Sequence, residues 1–223
     1  IIDFCLSGGI RLIYTSTVDC IPREKDQASV NEPEEIIVSR LKCPYTISKG
    51  EATAYLLEKM KNDGMDAVIL YPSGVVGIND FKPSTAGSEI YLAMKHRFSF
   101  YIKGGYNFVD VRDCAKAVIS CLEKPVKGSY ILAGHNRTLR QFLRAIGKAQ
   151  KKCKFLVPVP AFLARMFLFL VPRYSDMMID TICDNYHYDN SRMLSDLVSE
   201  PYPFDQTVLD TVKWIKDNEN IFK

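Results

Sequence analysis

The sequence predicts an α/β protein built on a parallel β-sheet, and three observations carry the prediction. Two short apolar runs rich in β-formers, Ile10 to Thr15 and Ala67 to Tyr71, read as buried strands. Between them, Tyr45 to Asn62 has helical spacing, with Ala52, Tyr55, Leu56 and Met60 sharing a face. Strand, helix, strand in that order is the connection that joins parallel strands.

The remaining elements follow in chain order. Ile1 to Leu6 reads as the end of a helix, with Gly8-Gly9 as its stop. Asp19 to Cys43 is polar, carries two prolines and reads as loop. Gly64 ends the central helix, and Pro72-Ser73-Gly74 stops the second strand. Residues 78–88 form a loop, followed by a helix reaching Arg97; Asn107 to Val111 is a short extended piece. Arg112 to Glu123 is a helix with Ala115, Val118, Ile119 and Leu122 on one face, and Ser129 to Leu132 is a third strand. Thr138-x-x-Gln141 is a capping box opening a helix to Lys151. Past Val157 the prolines are frequent and the helices short, until Phe204 to Asn218 closes the chain as an amphipathic helix with Val208, Val212, Trp214 and Ile215. A boundary is expected near 152–160.

Composition narrows the function classes. With 223 residues, 47% hydrophobic and 25% charged, the chain can bury one sizeable core, or a core plus a small lobe. A net charge of +3 is too small to argue for nucleic acid, and a solvated helix end explains the densest basic run, Lys148 to Lys154. Seven cysteines without a Cys-x-x-Cys pair suggest reduced thiols in a cytoplasmic protein. Three scattered histidines argue against zinc, and no metal site is expected. The most apolar stretch, Ala161 to Val171, contains Arg165 and lies between Pro160 and Pro172; its eleven residues fall short of a bilayer span, which takes about 20. It reads as a buried or cleft-covering helix, with membrane-surface contact through Phe162, Met166, Phe167, Phe169 and Leu170 as the minority reading.

The chemistry-bearing constellation is Tyr45-Thr-Ile-Ser-Lys49. Tyr-x-x-x-Lys also occurs at Tyr55/Lys59 and Tyr91/Lys95, and about one match is expected by chance, so context decides. Tyr55 lies on the apolar stripe of its helix and reads as core. Tyr91 precedes a cationic helix end. Tyr45 opens a helix after Pro44 that joins two buried strands, and the preceding strand ends in Thr15-Ser16-Thr17. That places hydroxyls at the sheet edge where parallel α/β proteins build their sites. A free phenol titrates near 10; a Lys at i+4 shares its helical face and favours the phenolate. Tyr45 can then act as general acid or base, while a strand-end hydroxyl such as that of Thr17 hydrogen-bonds an oxygen on which charge develops. On spacing alone, a surface Tyr and Lys flanking a loop competes with this reading.

Several segments, in order, resemble the extended short-chain dehydrogenase/reductase (NAD-dependent epimerase/dehydratase) family, nearest its dihydroflavonol-reductase-like branch. "RLIYTST" resembles the strand ending in the catalytic hydroxyl, here Thr17, and "YTISKGEATAYLLEK" the catalytic Tyr-Lys helix. "AVILYPSGVVG" resembles the next strand and "YNFVDVRDCAKAVISCLEK" the Val-Asp-Asp-Val-Ala helix start. "GSYILAGHNRTLRQFLRAIGK" and the proline-rich tail to Trp214 fit the family's substrate lobe.

The resemblance implies the C-terminal part of a Rossmann-type parallel-sheet domain over 1–152. A smaller, mostly helical substrate lobe with the closing helix would follow over 153–223, its segment 152–200 covering the cleft. It implies Thr17, Tyr45 and Lys49 as catalytic residues, and Tyr45, Lys49, Pro72, Ser73 and Val75 as cofactor-binding. The cofactor expected is NADP, with NAD as the second choice. The function expected is hydride transfer between NAD(P)H and a small, fairly hydrophobic carbonyl or alcohol. The partners expected are that substrate and a second copy in a homodimer, with no nucleic acid and no membrane span.

The chain also departs from the family pattern. Thr17 stands where Ser is usual, and Tyr71 where Arg is usual. The Gly-x-x-Gly-x-x-Gly turn that cradles a pyrophosphate is absent from the sequence. An N-terminal βαβ unit is therefore expected in the native polypeptide, pairing an otherwise open first strand. Two further readings stand beside reduction. Sugar-nucleotide epimerase or dehydratase chemistry uses the same Tyr-Lys helix, but the apolar tail, with Phe155, Leu156, Val157, Phe162, Met166 and Phe167, disfavours it. A non-catalytic dinucleotide-sensing scaffold is disfavoured by the presence of Thr17, Tyr45 and Lys49 together.

Overall fold

A computed structural model of the chain describes residues 1–23, 27, 29–166 and 176–223. In chain order, the strands are β1 (Leu12–Thr15), β2 (Ala67–Pro72), β3 (Gly74–Val76), β4 (Phe98–Ile102), β5 (Gly105–Asp110), β6 (Gly128–Leu132), β7 (His135–Thr138) and β8 (Phe155–Val159). The helices are α1 (Ile2–Ser7), α2 (Pro44–Asn62), α3 (Thr85–Lys95), α4 (Val111–Glu123), α5 (Leu139–Ala149), α6 (Ala161–Met166), α7 (Asp176–Asp184) and α8 (Phe204–Asp217). They form two units, each drawn from three stretches of chain: 1–73, 113–133 and 188–201 in the first, and 74–112, 134–187 and 202–223 in the second.

The first unit holds a parallel sheet in the order β1-β2-β6, with Leu12 opposite Ala67 and Val68 opposite Gly128. As the middle strand, β2 is buried from Ala67 to Tyr71, which is why its sequence is an unbroken apolar run rather than an alternating one. The long connection α2 buries Thr46, Gly50, Thr53 and Leu56, a stripe at helical spacing. Tyr55, expected in the core, is instead exposed, and its hydroxyl donates to Asp3. The correction has a plain cause: small residues let α2 approach closely, and the bulky ring one position along is turned to water.

The same correction applies to α4. Its buried positions are Asp113, Ala117 and Cys121, while Ile119 and Leu122 are 52% and 70% exposed. Residues on a helix advance by about 100° each, so the two stripes cannot both face inward, and the slimmer one does. Ala117 and Cys121 pack with Val68, Leu70, Tyr130 and Leu132 of the sheet. Met193, Leu197 and Val198 complete this cluster, so 188–201 belongs to the first unit rather than to a covering lobe.

The second unit holds a sheet in the order β3-β5-β7 and a parallel two-stranded ribbon of β4 and β8. Its core gathers Val76, Ile90, Phe108, Phe142, Ile146, Phe204, Val208, Val212 and Ile215. Phe108 and Phe142 stack with ring centroids 4.5 Å apart. The capping box is formed: the Thr138 hydroxyl accepts the Gln141 backbone amide at 3.2 Å, and the Gln141 side-chain Oε1 accepts the Thr138 backbone amide at 2.9 Å. Thr138→Ala is expected to cost about 1 kcal/mol and to lower the thermal midpoint by roughly 2–4 °C, read by circular dichroism. Of the apolar stretch 161–171, residues 167–171 lie outside the described residues, and the assignments made to Phe167, Phe169 and Leu170 lie there with them.

Candidate active site

The site is built where β1 ends and α2 begins, inside the first unit. Past Thr15 the chain enters a short 3-10 turn, Val18–Cys20, capped by Thr17, whose Oγ1 accepts the Asp19 amide at 3.2 Å. That contact fixes the Thr17 side chain and leaves its hydroxyl proton free to be donated. The neighbouring Ser16 is committed elsewhere: its Oγ lies 2.7 Å from the Thr53 hydroxyl, inside the packing of α2. The Thr17 hydroxyl, unlike that of Ser16, meets Tyr45.

Helix α2 starts at Pro44, with the Cys43 thiol accepting the Thr46 amide at 3.4 Å. Proline at the first helical position needs no partner for a missing N–H. Tyr45 follows in the first turn and is 55% exposed. Burial of part of the ring pushes its phenol above the ordinary value; a hydrogen bond with Thr17 works against this, and the negative ends of Asp19, Cys20 and Cys43 add to it. The depression expected from Lys49 is not what the geometry gives, because the Lys49 ammonium is directed at the strand end. Its Nζ donates to the Thr15 carbonyl oxygen at 2.8 Å and lies 5.1 Å from the centre of the Tyr14 ring.

The other two Tyr-x-x-x-Lys pairs behave differently. Lys59 folds over its own Tyr55 at 5.4 Å and pairs with Asp63 at 2.9 Å. Lys95 folds over Tyr91 at 4.8 Å and pairs with Glu219 at 2.9 Å. Lys49 does neither. It keeps its charge free of any carboxylate among the described residues, one turn from a phenol that meets a strand-end hydroxyl.

The second strand end is close in the sheet, since Thr15 pairs with Leu70. Pro72 closes β2 opposite Leu132, and the Ser73 amide donates to the Leu132 carbonyl oxygen at 3.0 Å, which fixes that end. Val75 lies on β3 in the second unit and is partly exposed. Tyr14 was missed by sequence reasoning. It carries no motif, yet its ring lies under the Lys49 ammonium and its phenol is pushed up by burial. Among the described residues, no group of three or more His, Cys, Asp and Glu side chains could hold a metal ion.

Comparison with known proteins gives the family and the fold. The sequence profile described as the NAD dependent epimerase/dehydratase family matches residues 1–133. A Synechocystis protein described as a dihydroflavonol 4-reductase is 26% identical over 95% of this chain, which spans 66% of that relative's length. A dTDP-glucose 4,6-dehydratase from Bacillus anthracis, solved with NAD, superposes with a TM-score of 0.75 at 17% identity, over 99% of this chain and 66% of its own. RMD from Pseudomonas aeruginosa, solved with NADPH, superposes with a TM-score of 0.68 at 15% identity, over 94% and 67%.

Proposed function

Because the chain belongs to the NAD dependent epimerase/dehydratase family, we propose that it serves a nicotinamide-dependent reductase acting on a small, fairly hydrophobic carbonyl compound. The observation that carries the proposal is the set Tyr45, Thr17 and Lys49, with Lys49 directed at the end of β1 and free of the carboxylate that pairs with each of Lys59 and Lys95. Likeness to a dihydroflavonol 4-reductase over 95% of the chain supports reduction, as does the apolar Phe155-Leu156-Val157 of the tail. Seven cysteines without a Cys-x-x-Cys pair in the sequence support a reducing, cytoplasmic setting. Among the described residues no helix is long and apolar enough to cross a membrane.

The donor set fits a nicotinamide dinucleotide. Lys49 offers an ammonium with one proton spent on Thr15 and no carboxylate attached, which suits ribose hydroxyls. Lys49 and Tyr45 would hold the ribose, and Pro72 and Ser73 would flank the nicotinamide. When bound, the reduced nicotinamide supplies a hydride. The chain's own residues do the rest. Thr17 donates a hydrogen bond to the carbonyl oxygen, polarising it where negative charge develops. Tyr45, a phenol and so protonated at neutral pH, delivers the proton to the same oxygen.

The test is NADPH oxidation, with NADH beside it, against a panel of aryl and alkyl ketones and aldehydes. Lys49→Met is expected to weaken NADPH binding by roughly 10- to 100-fold, the worth of a charge-assisted hydrogen bond, read by fluorescence titration. Conversion of a nucleoside-diphosphate sugar without net NADPH oxidation would replace the proposal with epimerase or dehydratase chemistry.

A further inference from the structure

Between Glu123 and Asp176 the sequence has eleven Lys or Arg and no Asp or Glu, although the whole chain carries only +3. Part of this stretch forms β8 and α6, and there the cations meet a second feature. Parallel pairing of β4 with β8 sets Phe98 beside Phe155 and Phe100 beside Val157, and alternate side chains on a strand share a face. That face is uncovered, with Phe98 64% and Phe100 73% exposed and both partners also exposed. Just past β8, Phe162 and Met166 stand one turn apart on α6, again exposed. Scattered apolar side chains are normal on a surface; six gathered on one ribbon and its adjoining helix are not.

Cations flank the ribbon. Arg97 precedes β4 with its guanidinium 5.9 Å from the Phe155 ring centre, and Lys103 follows β4. Lys151 and Lys152 lead into β8 and are exposed. None of these four is held in an ion pair among the described residues, whereas Asp176 and Asp180 pair with Arg165 and Glu219 pairs with Lys95. An apolar face flanked by unneutralised cations is complementary to one surface that is apolar inside and anionic outside. Nucleic acid would answer the charge but leave the aliphatic Val157 and Met166 unmatched.

We propose that the β4–β8 ribbon and α6 form a peripheral docking surface for an anionic lipid bilayer. Phe98, Phe100, Phe155 and Phe162 enter the interfacial region, and Arg97, Lys103, Lys151 and Lys152 meet the headgroups. The proposal is independent of the catalytic reading, and a failure of either leaves the other standing.

The test is cosedimentation of the protein with vesicles of phosphatidylcholine alone and of phosphatidylcholine with phosphatidylserine. Binding is expected to the anionic vesicles and to weaken as salt is raised. The double variant Lys151→Gln, Lys152→Gln should lose roughly 25-fold in partitioning at low salt, about fivefold per cation. Phe100→Glu with Phe162→Glu should lose at least roughly 10-fold, with circular dichroism confirming the fold. Failure to bind anionic vesicles overturns the proposal, as does binding that neither double variant weakens. It is likewise overturned if an oligonucleotide binds while vesicles do not, which would give the surface to nucleic acid. A dimer that Phe100→Glu splits, in a protein that ignores vesicles, would give it to a second copy.

Discussion

Replacing Tyr45 with Phe is expected to lower kcat for carbonyl reduction by about 10²- to 10⁴-fold, the usual contribution of a positioned general acid. The fold should be untouched. More than half of Tyr45 is exposed, and the first turn of α2 is held by Pro44 and by the Cys43 and Thr46 groups rather than by the phenol. The thermal midpoint should therefore stay within about 1 °C, as for surface substitutions. The pH dependence follows from the raised phenol. The acid form persists past its ordinary value near 10, so the reductive rate should show no alkaline fall from this group through neutral pH. Thr17→Ser should retain most activity and Thr17→Val should not, since only the first keeps the hydroxyl. Steady-state kinetics of the three variants against wild type make the measurement. Near-normal kcat in Tyr45→Phe would remove Tyr45 from the chemistry and favour a non-catalytic role for the dinucleotide site.

Replacing Arg112 with Ala is expected to destabilise the protein by about 3–5 kcal/mol, because it strands a buried carboxylate. Asp110 is buried at the end of β5. The Arg112 side chain grips it with Nη2 at 2.6 Å and Nε at 2.9 Å, the Arg112 amide donates at 2.8 Å, and the Thr207 hydroxyl donates at 2.6 Å. The guanidinium also reaches Asp210 at 2.7 Å and lies 3.6 Å from the Tyr202 ring centre, tying β5 to α8 within the second unit. Burial alone would raise the Asp110 carboxyl; the Arg112 and Thr207 bonds outweigh it and hold the group below the ordinary carboxylate range. A depressed carboxyl contributes stability that is complete above the unfolded value, about 3.9, and is lost as pH falls through the folded one. Urea denaturation of wild type should thus show this term intact at pH 7 and fading in strong acid, while Arg112→Ala lacks it throughout.

How much of this was legible in the sequence depends on how local the signal was. The strands near 67–71 and 129–132 announced themselves because a doubly covered parallel strand must be apolar throughout, as β2 is, whereas β1, also expected to be buried, lies at the edge of its sheet and is half-buried to exposed. The box at Thr138 and Gln141 was legible because both partners lie within one turn. β3, β4, β7 and β8 were missed for the opposite reason. Phe98–Ile102 and Phe155–Val159 are separated by more than fifty residues and owe their conformation to each other, and no local pattern encodes a partner that distant. Helix faces failed where small residues lay inward, as at Ala117 and Cys121, because hydrophobicity alone ranks Ile119 and Leu122 above them. At the candidate site, the identities of Thr17, Tyr45 and Lys49 came from the motif. Which lysine was free came only from three dimensions, where Lys59 and Lys95 find acids and Lys49 finds a strand end.

The interleaving of the two units governs how this chain must be made. During synthesis the sheet of the first unit acquires β1 and β2 by residue 72, but β6 arrives only at 128–132, and Met193, Leu197 and Val198, which close over its face, come later still. The second unit likewise waits for Phe204, Val208 and Ile215 of α8 before its core is filled. The first unit's cluster thus lacks a part until Val198, and the second unit's core until Ile215. Contacts this distant in sequence make folding slow and leave apolar strands uncovered in the interval.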